Sequence, residues 1–169
     1  MPLQRPPTER RPSHSVHPVT QGDTFPRRWA RTRRGTLGDA RDLTITPDGS
    51  SVYFLRARST SDPVHLLWAV DTATGDERLV VDPAQLSTSG TESAAERARR
   101  ERLRESADGI AAYHCNRDVT RAVTTLAGTA VLIDLDTGRC TTVDLGAAVF
   151  DPRLSPDGRR LAVVRDGRL

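Results

Sequence analysis

Three stretches of this sequence share a corner, and that corner limits the fold more than any other feature. TPDGSSVYFLRAR from Thr46, SADGIAAYHCNRD from Ser106 and SPDGRRLAVVRDG from Ser155 each run Ser or Thr, Pro or Ala, Asp-Gly, then a β-rich segment. Proline presets φ, aspartate bonds nearby amides and glycine accepts positive φ as the chain swings into a strand. The glycines, Gly49, Gly109 and Gly158, stand 60 and 49 residues apart, steps the size of a repeated sheet unit.

A second corner is repeated in the same order. Asp71–Gly75 (DTATG) and Asp134–Gly138 (DLDTG) share the pattern D-x-x-T-G. Each follows an apolar segment, HLLWAV at 65–70 and TAVLI at 129–133, and precedes another, ERLVV at 77–81 and CTTV at 140–143. Such segments joined by tight turns predict hairpins. One unit therefore reads as a turn, three strands and a further strand before the next unit, a four-stranded antiparallel blade. The expected fold is all-β: a partial β-propeller of about three such blades. A β-sandwich with similar turns is the alternative.

The longer first spacing predicts an insertion at about 92–106. There SAAERARRERLRES opens on a possible capping box, Ser93 with Glu96, and continues in strong helix formers. Glu96 with Arg100 and Glu101 with Arg104 suit a solvated helix, with only Ala94, Ala95, Ala98 and Leu103 to bury.

Residues 1–26 hold five prolines in the first 18 positions and no apolar periodicity, and are expected to form a disordered tail ahead of a domain at 27–169. No apolar run follows the early arginines, so neither a signal peptide nor a membrane span is expected and a cytoplasmic location follows. All 25 basic residues are arginines. Nine of them lie by Arg41 against Glu9, Asp23 and Asp39, a surplus of six, so the rest of the chain is net acidic. The densest stretch, RRWARTRRGTLG at 27–38, sets Trp29 among five arginines. Such runs can bind nucleic acid, but no matching fold signature or second aromatic accompanies this one, and a lead-in packed at the domain edge is expected instead.

Cys115 and Cys140 have no C-x-x-C spacing, and His14, His17, His65 and His114 do not complete a zinc set. His114 and Cys115 are neighbours and would face opposite sides of a strand. No metal, cofactor or catalytic residue is expected, and both cysteines read as reduced thiols.

FPRRWARTRRGTLG, then ARDLTITPDGSSVYFLRARSTSDPVHLLWAVDTATGDERLV, the Arg/Glu-rich insertion and FDPRLSPDGRRLAVVRDG together resemble the start of the dipeptidyl peptidase IV N-terminal domain in bacterial members of the prolyl oligopeptidase family of serine peptidases. The resemblance covers about residues 25–169. It implies a propeller, eight-bladed in dipeptidyl peptidase IV, that caps an α/β-hydrolase domain and restricts access to a Ser, Asp and His there, with a glutamate pair binding the substrate N-terminus. Neither G-x-S-x-G nor Glu-Glu occurs in the sequence, so the chain is expected to be a non-catalytic front portion, with peptide substrate as partner only in a longer polypeptide and with oligomerisation open. The resemblance also places a substrate-touching arginine in the second blade, where Arg117 and Arg121 lie, but no motif match assigns the role to either. A stand-alone propeller-type binding module, or a truncated frame without its own function, are the competing readings.

Overall fold

The structure is a computed structural model, and it describes residues 24–86, 108–165 and 168. The insertion helix expected at about 92–106 lies outside the described residues, as does nearly all of the 1–26 tail.

A short helix, α1 (Phe25–Arg31), leads into the first blade, whose strands are β1 (Arg41–Ile45), β2 (Ser51–Ala57), β3 (Val64–Asp71) and β4 (Glu77–Val81). They pair antiparallel in sequence order. After a 3-10 turn at Pro83–Gln85, a two-residue strand, β5 (Asp108–Gly109), pairs in parallel with β3. The second blade follows as β6 (Tyr113–Cys115), β7 (Arg121–Leu126), β8 (Thr129–Asp134) and β9 (Cys140–Val143), again antiparallel in order. A third is begun by the pair β10 (Phe150–Leu154) and β11 (Leu161–Val164). The architecture is a partial β-propeller of two complete blades and the opening hairpin of another.

The D-x-x-T-G corners are the β3–β4 and β8–β9 turns. Asp71 Oδ1 accepts from the amides of Ala73 and Thr74, and Asp134 Oδ1 from the amide and hydroxyl of Thr137. Gly75 and Gly138 close their turns onto the Asp71 and Asp134 carbonyls at 2.8 Å each.

The Asp-Gly corners need a correction. Those at Thr46 and Ser155 are the β1–β2 and β10–β11 turns, but the second-blade equivalent is Asn116–Thr120 (NRDVT), not the Ser106 stretch. The bonds establish the match: Thr46 Oγ1, Asn116 Oδ1 and Ser155 Oγ each accept from the amide five residues on, at 3.0, 2.9 and 2.9 Å. The amides of Gly49, Val119 and Gly158 close onto the same three residues' carbonyls. Their φ values are 73°, 52° and 69°, so Val119 occupies the left-handed position that glycine fills in the other blades. The blade-to-blade steps are then 70 and 39 residues, the first lengthened by the insertion.

Gly109 has another task. It lies against β3, where an added Cβ would come within 2.5 Å of the His65 carbonyl oxygen. Only a residue without a side chain lets the returning chain approach that closely.

The core lies between the first two blades. Tyr53, Leu55, Leu67, Ala69 and Val81 of one sheet pack with Val119, Ala122, Leu126, Val131, Ile133 and Leu135 of the other. Their alternation follows from strand geometry: β2 and β3 pair Tyr53 with Ala69 and Leu55 with Leu67, which puts all four on one face.

Candidate functional site

Several side-chain hydrogen bonds cross the joints between blades. At the first joint, the Tyr113 hydroxyl is surrounded by the Asp42 carbonyl at 2.7 Å, the Thr44 hydroxyl at 3.0 Å and the Tyr53 carbonyl at 3.0 Å. Burial pushes its phenol well above the usual range. Arg78 donates to the Leu135 carbonyl at 2.7 Å, and the Tyr53 hydroxyl reaches the same oxygen at 3.4 Å. Arg41 donates to the Ala111 carbonyl at 2.9 Å.

His65 sits buried at this joint, 6% exposed, and its Nδ1 has no hydrogen-bond partner. Burial, reinforced by the Arg41 guanidinium, holds its imidazole down at about 4. Among the described residues no group of three potential metal ligands occurs.

The second joint joins β6 and β7 to the third blade. The Leu154 amide donates to His114 Nδ1 at 3.2 Å, which leaves the proton of the neutral ring on Nε2. Burial lowers the His114 pKa, with Arg153 adding to the effect. A cavity of about 70 Å³ separates the blades here, lined by Tyr113, His114, Thr125, Asp151 and Arg153 among others. Arg153 pairs with Asp151 at 2.8 Å. A second opening, of about 270 Å³, is lined by Arg121, Leu132, Asp134, Arg139, Thr141 and Gly158.

Of the two arginines singled out from sequence, Arg117 is exposed on the β6–β7 turn, and its amide donates to the Pro156 carbonyl at 3.0 Å. Arg121 opens β7, is cross-strand from Asp134 and reaches the Gly158 carbonyl at 3.4 Å. Both sit at the second joint. Cys115 and Cys140 are free and half-buried; burial pushes the Cys115 thiol up to about 11 and raises Cys140, the opposite of an activated nucleophile.

Sequence reasoning missed a matched pair of aspartates. Asp42 and Asp151 each lie four residues before the corner residue, Thr46 or Ser155, at a register break in the first strand. Their φ values are 52° and 48°. The signal was present as Asp-x-x-Leu/Ile-Ser/Thr-Pro-Asp-Gly in RDLTITPDG and FDPRLSPDG. Bulges of this kind re-aim side chains at sheet edges and beside binding sites.

Among the described residues no helix is long and apolar enough to cross a membrane. No protein-family model matches the chain. Among solved structures it is similar to a prolyl endopeptidase (18% identity, TM-score 0.49, over 79% of this chain and 18% of that one). It is also similar to TolB from Agrobacterium tumefaciens (16%, 0.45, over 78% and 41%). A third is the β-propeller domain of the Trilobed protease from Pyrococcus furiosus (14%, 0.40, over 76% and 41%). The chain thus spans less than half the length of each of these structures.

Proposed function

We propose that this chain is the non-catalytic front portion of the substrate-gating propeller of a serine peptidase of the prolyl oligopeptidase family, of dipeptidyl peptidase IV type. The observation that carries the reading is the stretch 150–164. FDPRLSPDGRRLAVV, part of the family resemblance, folds as the hairpin β10–β11 that opens a new blade with the same corner as the first. In this reading an α/β-hydrolase domain supplies the Ser, Asp and His, and the present residues restrict which peptides reach them. The raised thiols and the absence of G-x-S-x-G from the sequence are consistent with that division of labour.

Two measurements test it. The purified chain is expected to leave an Xaa-Pro chromogenic dipeptide uncleaved above the blank rate. The coding sequence downstream is expected to continue into more Pro-Asp-Gly blades, Glu-Glu and then G-x-S-x-G. Cleavage by the chain alone, or a genuine stop directly after residue 169, removes the reading. The second reading, a stand-alone protein-binding module in the cytoplasm, is favoured by one observation: α1 is exposed along its whole length.

A further inference from the structure

The two blade joints are fastened by different chemistry. Across the first, the Tyr113 hydroxyl and the Arg41 and Arg78 guanidiniums donate to backbone carbonyls, and none of these groups changes charge near neutral pH. Across the second, an imidazole is an acceptor. His114 Nδ1 takes the Leu154 amide proton at 3.2 Å, joining residues 40 apart in the chain. Histidine is the side chain that ordinarily titrates between about pH 5 and 8, and protonation turns this acceptor into a donor that faces another donor.

The surroundings of the ring supply a second partner. Of the residues that line the adjoining cavity, β7 contributes Val123 and Thr125, which carry no charge, and β10 contributes Asp151 and Arg153. Arg153 opposes protonation of His114 and Asp151 favours it. Those two are paired with each other at 2.8 Å, and Asp151 is held at φ 48° at the register break of β10. A neutral His114 suits the Leu154 amide. A charged one, with a proton on each nitrogen, suits the Asp151 carboxylate of the same cavity.

We propose that the joint between the second and third blades is a proton-operated hinge, in which His114 latches β6 to β10 while neutral and leaves the Leu154 amide for Asp151 when charged. Two further bonds between these parts have no titratable member: the Arg117 amide to the Pro156 carbonyl at 3.0 Å, and the Val149 amide to the Gly128 carbonyl at 2.9 Å. The blades therefore part locally and stay joined. Burial disfavours the charged ring and holds it below its ordinary 6.5 while the joint is closed. The latch is thus complete above about pH 6.5 and is lost as pH falls from there through the lower folded value. Such a hinge is independent of the peptidase reading and stands or falls without it.

The test is backbone amide exchange of the full chain, read by NMR at pH 7 and pH 5, with each rate divided by its intrinsic value so that the ordinary acid slowing drops out. Gly138, whose amide bonds within the β8–β9 turn, is the reference. Relative to Gly138, protection of the Leu154 amide should fall about tenfold at pH 5, as expected for the loss of one hydrogen bond. H114N carries an oxygen on Cγ where the imidazole carries Nδ1, and that oxygen does not titrate, so its Leu154 protection should stay constant. D151N keeps the shape of the side chain and tolerates positive φ, and it should lower the midpoint of the His114 ring titration. Constant Leu154 protection in the parent overturns the proposal, as does an equal fall in H114N, which traces the effect to His65 or to general loosening. An unmoved His114 midpoint in D151N overturns it as well. Should H114N fail to fold, the parent decides alone: the Leu154 midpoint must coincide with that of the His114 ring protons and not with that of His65.

Discussion

Acid should loosen the first blade joint through one side chain. His65 is 6% exposed, its Nδ1 is unpartnered and the Arg41 guanidinium lies near, with Arg33 adding to the repulsion and Asp42 and Asp62 opposing it. In the unfolded chain its imidazole titrates near 6.5, and in the fold near 4. A depressed histidine means the unfolded state binds the proton first. Its contribution is therefore intact above about pH 6.5 and is lost progressively as pH falls from there toward 4. At pH 5 the linkage amounts to about 2 kcal/mol, against a few tenths at pH 7. The measurement is urea unfolding of the parent chain and of H65L at pH 7 and pH 5. Leucine removes the titrating ring and the unpartnered nitrogen, so the variant should lose about 2 kcal/mol less on acidification. His114, also depressed, titrates in both proteins and cancels from the difference. Equal losses in the two proteins, or an NMR titration giving His65 an ordinary pKa in the folded chain, would refute the reasoning.

Three further outcomes are expected. Gly109→Ala should destabilise by about 3 kcal/mol or more, since its Cβ would meet the His65 carbonyl at 2.5 Å. Gly75→Ala, also at positive φ but with nothing within 4 Å, should cost only about 1 kcal/mol in the same urea titration. Asn116→Ala should cost about 2 kcal/mol, because buried Asn116 Oδ1 accepts from the Thr120 and Arg121 amides at 3.0 and 2.9 Å; Asn116→Ser should recover part of that in thermal melts. Burial raises the pKa of both tyrosines, Tyr53 and Tyr113, so absorbance near 295 nm at pH 10.5 should show less tyrosinate in the folded chain than after denaturant is added.

The blade corners were legible where the chemistry is local. A D-x-x-T-G turn bonds within its own residues, so its sequence and geometry coincide, and ERLVV and CTTV are strands with the boundaries read from sequence. The second Asp-Gly corner misled for a physical reason. Ser106-Ala-Asp-Gly has the right letters, but its glycine serves a close approach to β3, while the real turn uses the amide oxygen of Asn116 for the work of a hydroxyl. Val119 then stands at positive φ, a costly choice for a β-branched residue, and it is 7% exposed within the core between blades. Burial of its side chain offsets the backbone strain, a compensation that depends on a sheet distant in sequence. The interblade bonds of Tyr113 are hidden likewise, since their partners lie 60 to 71 residues away.

The two faces of the first blade show how that dependence shapes the molecule. Toward the second blade, Tyr53, Leu55, Leu67 and Ala69 are all nearly inaccessible. On the other face Leu43 and Ile45 remain 64% and 62% exposed. Arg56 lies there with its guanidinium 5.2 Å from the Phe54 ring centroid and 5.0 Å from that of Trp68, and is held by both oxygens of Glu77. That arrangement lets a cation cover aromatic surface while keeping its charge in water. The ion pair itself is half-exposed and adds little stability. The joint with the second blade is built differently: apolar residues on alternate strand positions pack against their like, and beside them Tyr113 of β6, Tyr53 of β2 and Arg78 of β4 carry the polar bonds across.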